Sequence, residues 1–105
     1  MNTSSKSKTV KQLERLAGES LTLGSLLRAI RIGEDLTQQT FGKKLGLSKQ
    51  HVSDIENGRR FVSPKLAIKF AKKLGYNPEQ FVRLCLQDEL DRGNIPYTVS
   101  IKIAA

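Results

Sequence analysis

Five polar side chains fall close together in one short stretch: Lys49, Gln50, Ser53, Asp54 and Asn57. A helix advances about 100° per residue. With Lys49 at zero, Ser53, Asn57, Gln50 and Asp54 fall at roughly 40°, 80°, 100° and 140°. Val52 and Ile55 fall opposite, at roughly 300° and 240°. Such a helix buries a narrow apolar pair and exposes a strip of hydrogen-bonding groups. Lysine suits guanine O6 and N7, glutamine suits adenine N6 and N7, and aspartate accepts from cytosine N4. The chemistry this strip offers is base readout in duplex DNA. The candidate base contacts are Ser48, Lys49, Gln50, Ser53 and Asp54.

Other reactive groups form no constellation. His51 is the single histidine and Cys85 the single cysteine. That count excludes multi-histidine and cysteine-rich metal sites and an internal disulfide framework. Cys85 stands between Leu84 and Leu86, where a thiol serves as apolar filler. Asp88, Glu89 and Asp91 read as a solvated helix end. No glycine loop suited to phosphate is present. No catalytic residue, metal or cofactor is expected.

The reading strip needs elements to hold it. Thr37 is a candidate N-cap for a helix over 38–45, and Gly46 supplies a left-handed residue to end it. Leu47 plugs the turn. Ser48 caps a second helix over 49–57, which Gly58 ends.

On these residues the stretch from Leu36 to Arg60 resembles the helix-turn-helix of the Xre/Cro/phage-repressor family. The matching positions are Leu36, Gln38, Phe41, Gly42, Leu45 to Ser48, Val52 and Ile55 to Gly58. The likeness extends over about 22–81. Gly42 departs from the alanine more common in the family. The resemblance implies that Val52 packs against Gly42 and that the second helix enters the major groove. It also implies phosphate contacts from Gln38 and Asn57, to which Arg59 and Arg60, just beyond, should add. The implied activity is sequence-specific double-stranded DNA binding by a dimeric transcriptional regulator, a repressor, on a near-palindromic operator. The alternative it implies is an antitoxin that neutralises a partner toxin and autoregulates its operon.

Length and charge agree with a polyanionic partner. The 105 residues make one small domain with tails, and the net charge is +8. Residues 63–76 hold four lysines and no acid, whereas residues 77–105 carry a net charge of −1. No run of about 18 apolar residues appears, so no membrane span is expected. The N-terminus lacks the apolar stretch of a secretory signal. A single cysteine fits a reducing cytoplasm.

Along the chain, residues 1–21 read as a flexible tail with a short helix at Val10–Ala17. Residues 22–92 read as the DNA-binding domain. Thr22 caps a first helix whose Leu23, Leu26, Leu27 and Ile30 share a face. Ser63-Pro64 and Asn77-Pro78 start two more helices. The expected fold is all-α, with five helices and a C-terminal β-strand extension over 93–105. That strand rests on the alternation of Tyr97, Val99, Ile101 and Ile103. Apolar residues on the last helix spread over roughly 240°, more than one face needs. Phe81, Leu84, Cys85, Tyr97, Val99, Ile101 and Ile103 are therefore the expected homodimer interface.

Overall fold

The computed structural model describes residues 21–104. The expected helix at Val10–Ala17 lies outside them. Among the described residues there are five helices: α1 Leu23–Gly33, α2 Gln38–Leu45, α3 Lys49–Glu56, α4 Pro64–Leu74 and α5 Pro78–Arg92. The chain divides into two compact units, the first ending at Phe61 and the second beginning at Val62.

Local chemistry explains where each helix begins. Thr22, Thr37, Ser48, Ser63 and Asn77 are the N-caps, and each side chain accepts a backbone N–H from the first turn. A cap of this kind contributes about 1 kcal/mol. Thr22 and Ser25 form a reciprocal capping box. Gly46 ends α2 at φ 79°, a left-handed conformation that a Cβ would penalise.

In the first unit, α1 and α2 each contact α3. Leu23, Leu26, Leu27 and Ile30 from α1, Phe41 and Leu45 from α2, and Val52 and Ile55 from α3 are all buried. Two glycines set how closely backbones approach. A Cβ at Gly24 would collide with the Ile55 carbonyl oxygen of α3. A Cβ at Gly42 would stand 2.5 Å from the Leu47 carbonyl oxygen. The three atoms nearest to such a Cβ all belong to the Leu47 and Ser48 backbone. The Leu47 N–H also donates to the Gly42 carbonyl at 2.7 Å, closing the turn.

In the second unit α4 packs along α5. Ala67, Phe70, Ala71 and Leu74 are buried on α4, and Phe81, Leu84 and Cys85 on α5. The Cys85 thiol donates to the Val62 carbonyl at 2.8 Å. Burial first, then the charges of Asp88 and Glu89, push this thiol up and keep it protonated as a donor.

The expected C-terminal strand does not form. Residues 97–103 take no strand, and no other strand exists among the described residues to pair with them. A ladder needs a neighbouring backbone, and here a side chain stands in for one. Gln87 Nε2 donates to the Tyr97 carbonyl at 3.0 Å, and its Oε1 accepts the Val99 N–H at 2.8 Å. One amide satisfies two backbone groups and cannot propagate a sheet. The period-two pattern survives only in part. Val99 and Ile101 are half-buried, while Tyr97 is 70% exposed and Ile103 75% exposed.

Candidate nucleic-acid interface

Helix α3 turns Val52 and Ile55 inward. Lys49, Gln50 and Asn57 are exposed, and Ser53 and Asp54 half-buried. The polar strip is therefore presented by one helix. Within it the side chains are bonded to one another. Gln50 Nε2 donates to Asp54 Oδ1 at 2.9 Å, and Arg59 Nε donates to the same oxygen at 3.2 Å. Arg59 Nη2 lies 3.5 Å from Ser53 Oγ. Asn57 Nδ2 donates to the Ser53 carbonyl at 2.8 Å. The Gln50 hydrogen bond, followed by the hydrogen bond and charge of Arg59 and the charge of Arg60, holds the Asp54 carboxyl below its ordinary value.

Ser48 spends its hydroxyl oxygen as acceptor for the His51 N–H, 3.0 Å away. Its own O–H remains to donate. Lys49 and Arg60 are exposed and have no ion-pair partner among the described residues.

A second network fixes the back of the motif. Arg31 grips Glu56 with Nε at 2.7 Å and Nη2 at 3.0 Å, and its Nη1 donates to the Leu36 carbonyl at 3.0 Å. Gln38 Nε2 adds a bond to Glu56 Oε1 at 3.2 Å. The Glu56 side chain is 2% exposed and that of Arg31 14%. The hydrogen bonds to Glu56 raise the Arg31 pKa, against the effect of burial. Gln38, an expected phosphate contact, is thus bonded to the end of α3 in the free chain. Glu56 had no assigned role in the sequence, because its partner is 25 residues away and no local spacing marks the pair.

Of the expected dimer residues, Phe81, Leu84 and Cys85 lie buried within the chain. Tyr97 and Ile103 are exposed, and Val99 and Ile101 half-buried. The two groups are not one surface.

A capped helix, a left-handed glycine turn and a second helix with a polar outer strip define a helix-turn-helix DNA-binding unit. The profile of the helix-turn-helix family matches residues 27–81. The chain belongs to that family, in its Xre-type form, and is a DNA-binding transcription regulator of this type. An uncharacterised helix-turn-helix-type transcriptional regulator of Methanocaldococcus jannaschii is 43% identical over 53 residues, covering 50% of this chain and 80% of that protein. Among solved structures, a candidate antidote protein of a plasmid maintenance system from Nostoc punctiforme superposes with a TM-score of 0.64 at 26% identity. The match covers 70% of this chain and 81% of that one. Among the described residues no helix is long and apolar enough to cross a membrane.

Proposed function

We propose that this protein is a dimeric repressor that binds a near-palindromic operator through α3. The observation that carries the proposal is the strip of Lys49, Gln50 and Ser53 on a helix whose other side is anchored by buried Val52 and Ile55. Ser48, Lys49, Gln50 and Ser53 meet base edges, with Asp54 on the same surface. Gln38, Asn57 and Arg60 meet phosphates, fixing register without reading sequence. Two copies joined through Tyr97, Val99, Ile101 and Ile103 would set two α3 helices about 34 Å apart, one turn of DNA. The test is selection of bound sites from a random duplex library by the full chain, with sedimentation of the complex. A two-fold-symmetric motif bound by two chains supports the proposal. Binding without any enriched motif defeats it.

A second reading is favoured by the likeness to the Nostoc antidote protein. In it the chain is an antitoxin, with a toxin protein as a further partner and its own operon as the regulated site. Purification of the tagged protein from its own cells separates the two readings. A stoichiometric small protein that is toxic alone selects the antitoxin, and a homodimer without one selects the simple repressor.

A further inference from the structure

We propose that Arg59 is a base-reading residue, aimed at a guanine by Asp54, and not a phosphate anchor. The inference rests on the DNA-binding mode proposed above and adds a specificity determinant from outside the recognition helix. The backbone begins the argument. After Gly58, at φ 75°, the chain folds back so that the Arg59 and Arg60 N–H groups both donate to the Asp54 carbonyl, at 2.8 and 3.2 Å. That reversal lays the Arg59 side chain along α3. Its Nε is 3.2 Å from Asp54 Oδ1 and its Nη2 3.5 Å from Ser53 Oγ. One edge of the guanidinium is therefore occupied by the reading strip itself.

A guanidinium has two usable edges. The Nε–Nη2 edge is taken. The Nη1–Nη2 edge has no partner among the described residues, and the side chain is 58% exposed. Two parallel donors in that fork match the O6 and N7 acceptors of guanine in the major groove. The charge balance points the same way. Phosphate anchoring relies on uncompensated positive charge, and Arg59 shares a carboxylate. Directional recognition needs a rigid fork more than net charge. Asp54 has a matching reason to be present. A bare carboxylate facing DNA meets phosphate repulsion, whereas this one is neutralised by Arg59 and bonded by Gln50 at 2.9 Å. Asp54 is then a positioning residue whose acceptor is spent on Arg59 and Gln50 and not on cytosine.

The experiment selects duplex sites with the full-length wild type, Arg59→Ala and Asp54→Ala. Thermal melts confirm that each variant folds, as the exposure of Arg59 leads one to expect. The wild-type motif should contain a G·C pair whose preference falls roughly 5- to 150-fold in Arg59→Ala, the range for one lost bidentate contact. Asp54→Ala should flatten that same pair although Arg59 is retained. An Arg59→Ala motif identical to wild type, with every site uniformly weaker, makes Arg59 a phosphate anchor and overturns the proposal. So does loss of a different base pair in Asp54→Ala, which would make Asp54 a reader in its own right. If wild type enriches no motif, the proposed function fails, and this assignment with it.

Discussion

Arg31 and Glu56 face each other with two parallel hydrogen bonds of 2.7 and 3.0 Å, joining the last turn of α1 to the last residue of α3. The pair is nearly closed to solvent and is extended by Gln38 and the Leu36 carbonyl. It therefore clamps α3 to α1 at the end opposite the α3 N-cap. Bidentate arginine–carboxylate geometry supplies direction as well as energy.

Removing one member of such a pair leaves a buried charge without compensation. Glu56→Ala should cost about 3–5 kcal/mol, the range for breaking a buried ion pair. Glu56→Gln keeps an acceptor for Arg31 and should cost clearly less. Chemical denaturation of the three proteins measures both differences. Equal midpoints for Glu56→Ala and wild type would show that the clamp adds nothing to stability.

The two tight glycines make a second prediction. Any side chain at Gly24 presses on the Ile55 carbonyl, and any at Gly42 on the Leu47 carbonyl. Backbone atoms cannot swing aside as a side-chain tip does. Gly24→Ala and Gly42→Leu should each lose at least about 1–3 kcal/mol, the usual penalty for overpacking. The Gly24 variant should also weaken DNA binding, since the displaced element is α3. Thermal melts and operator titrations check both. An unchanged melting temperature in Gly24→Ala would mean that α1 and α3 separate at no cost.

These features differ in how far the sequence announced them. Thr37, Ser48 and Gly46 were readable because capping and left-handed turns are local chemistry, decided within four residues. The outward strip of α3 was readable for the same reason, since 100° steps need no tertiary knowledge. Arg31–Glu56 was not, because no local rule joins residues 25 apart. The wide apolar spread of α5 suggested a face for a second copy, yet Phe81, Leu84 and Cys85 are buried within the chain. Angular spread counts apolar residues but not the neighbours that cover them. The strand expectation failed because alternation reports a face and says nothing of a partner backbone. Likewise Arg59, just beyond the helix, was expected only to add to the phosphate contacts, and its bond to Asp54 follows from the backbone reversal at Gly58.

The Asp54 network predicts a pH dependence. Its carboxyl is held below the ordinary 3.8, chiefly by the Gln50 amide and then by Arg59. A depressed carboxylate contributes stability that is present above the unfolded-state value and lost as pH falls through the folded one. The contribution should therefore be intact at neutral pH and vanish only in acid, below the ordinary 3.8. A carboxyl carbon NMR titration of Asp54 in wild type and in Gln50→Ala reads this directly. The midpoint should rise in the variant. An identical midpoint would remove Gln50 as its main cause.

Arg60 should behave as a phosphate contact. It is exposed, and its side chain has no hydrogen-bond or ion-pair partner among the described residues, its charge reaching the Asp54 carboxylate only from beyond ion-pair distance. Arg60→Ala should weaken all sites alike and reduce the slope of log affinity against log salt by about 1. Titration at several salt concentrations provides the slope. A variant with the wild-type slope but an altered motif would place Arg60 on a base.

The C-terminal segment offers the last prediction. Gln87 holds residues 97 and 99 with two hydrogen bonds, one exposed and one part-buried, each contributing about 1 kcal/mol. Beyond this clasp, Tyr97 and Ile103 leave large apolar surfaces in water. Two copies that cover these surfaces would offset the cost of ordering the segment. Gln87→Ala should then speed amide exchange at Val99 in the isolated chain and weaken dimerisation, while α4 and α5 stay folded through Phe70, Leu74, Phe81 and Leu84. Truncation after Gly93 should give a folded monomer that still binds a half-site, but more weakly on the full operator. Sedimentation equilibrium of wild type, Gln87→Ala and the truncated chain distinguishes the outcomes. A truncated protein that stays dimeric and binds its full operator as tightly as wild type would remove the segment from the interface.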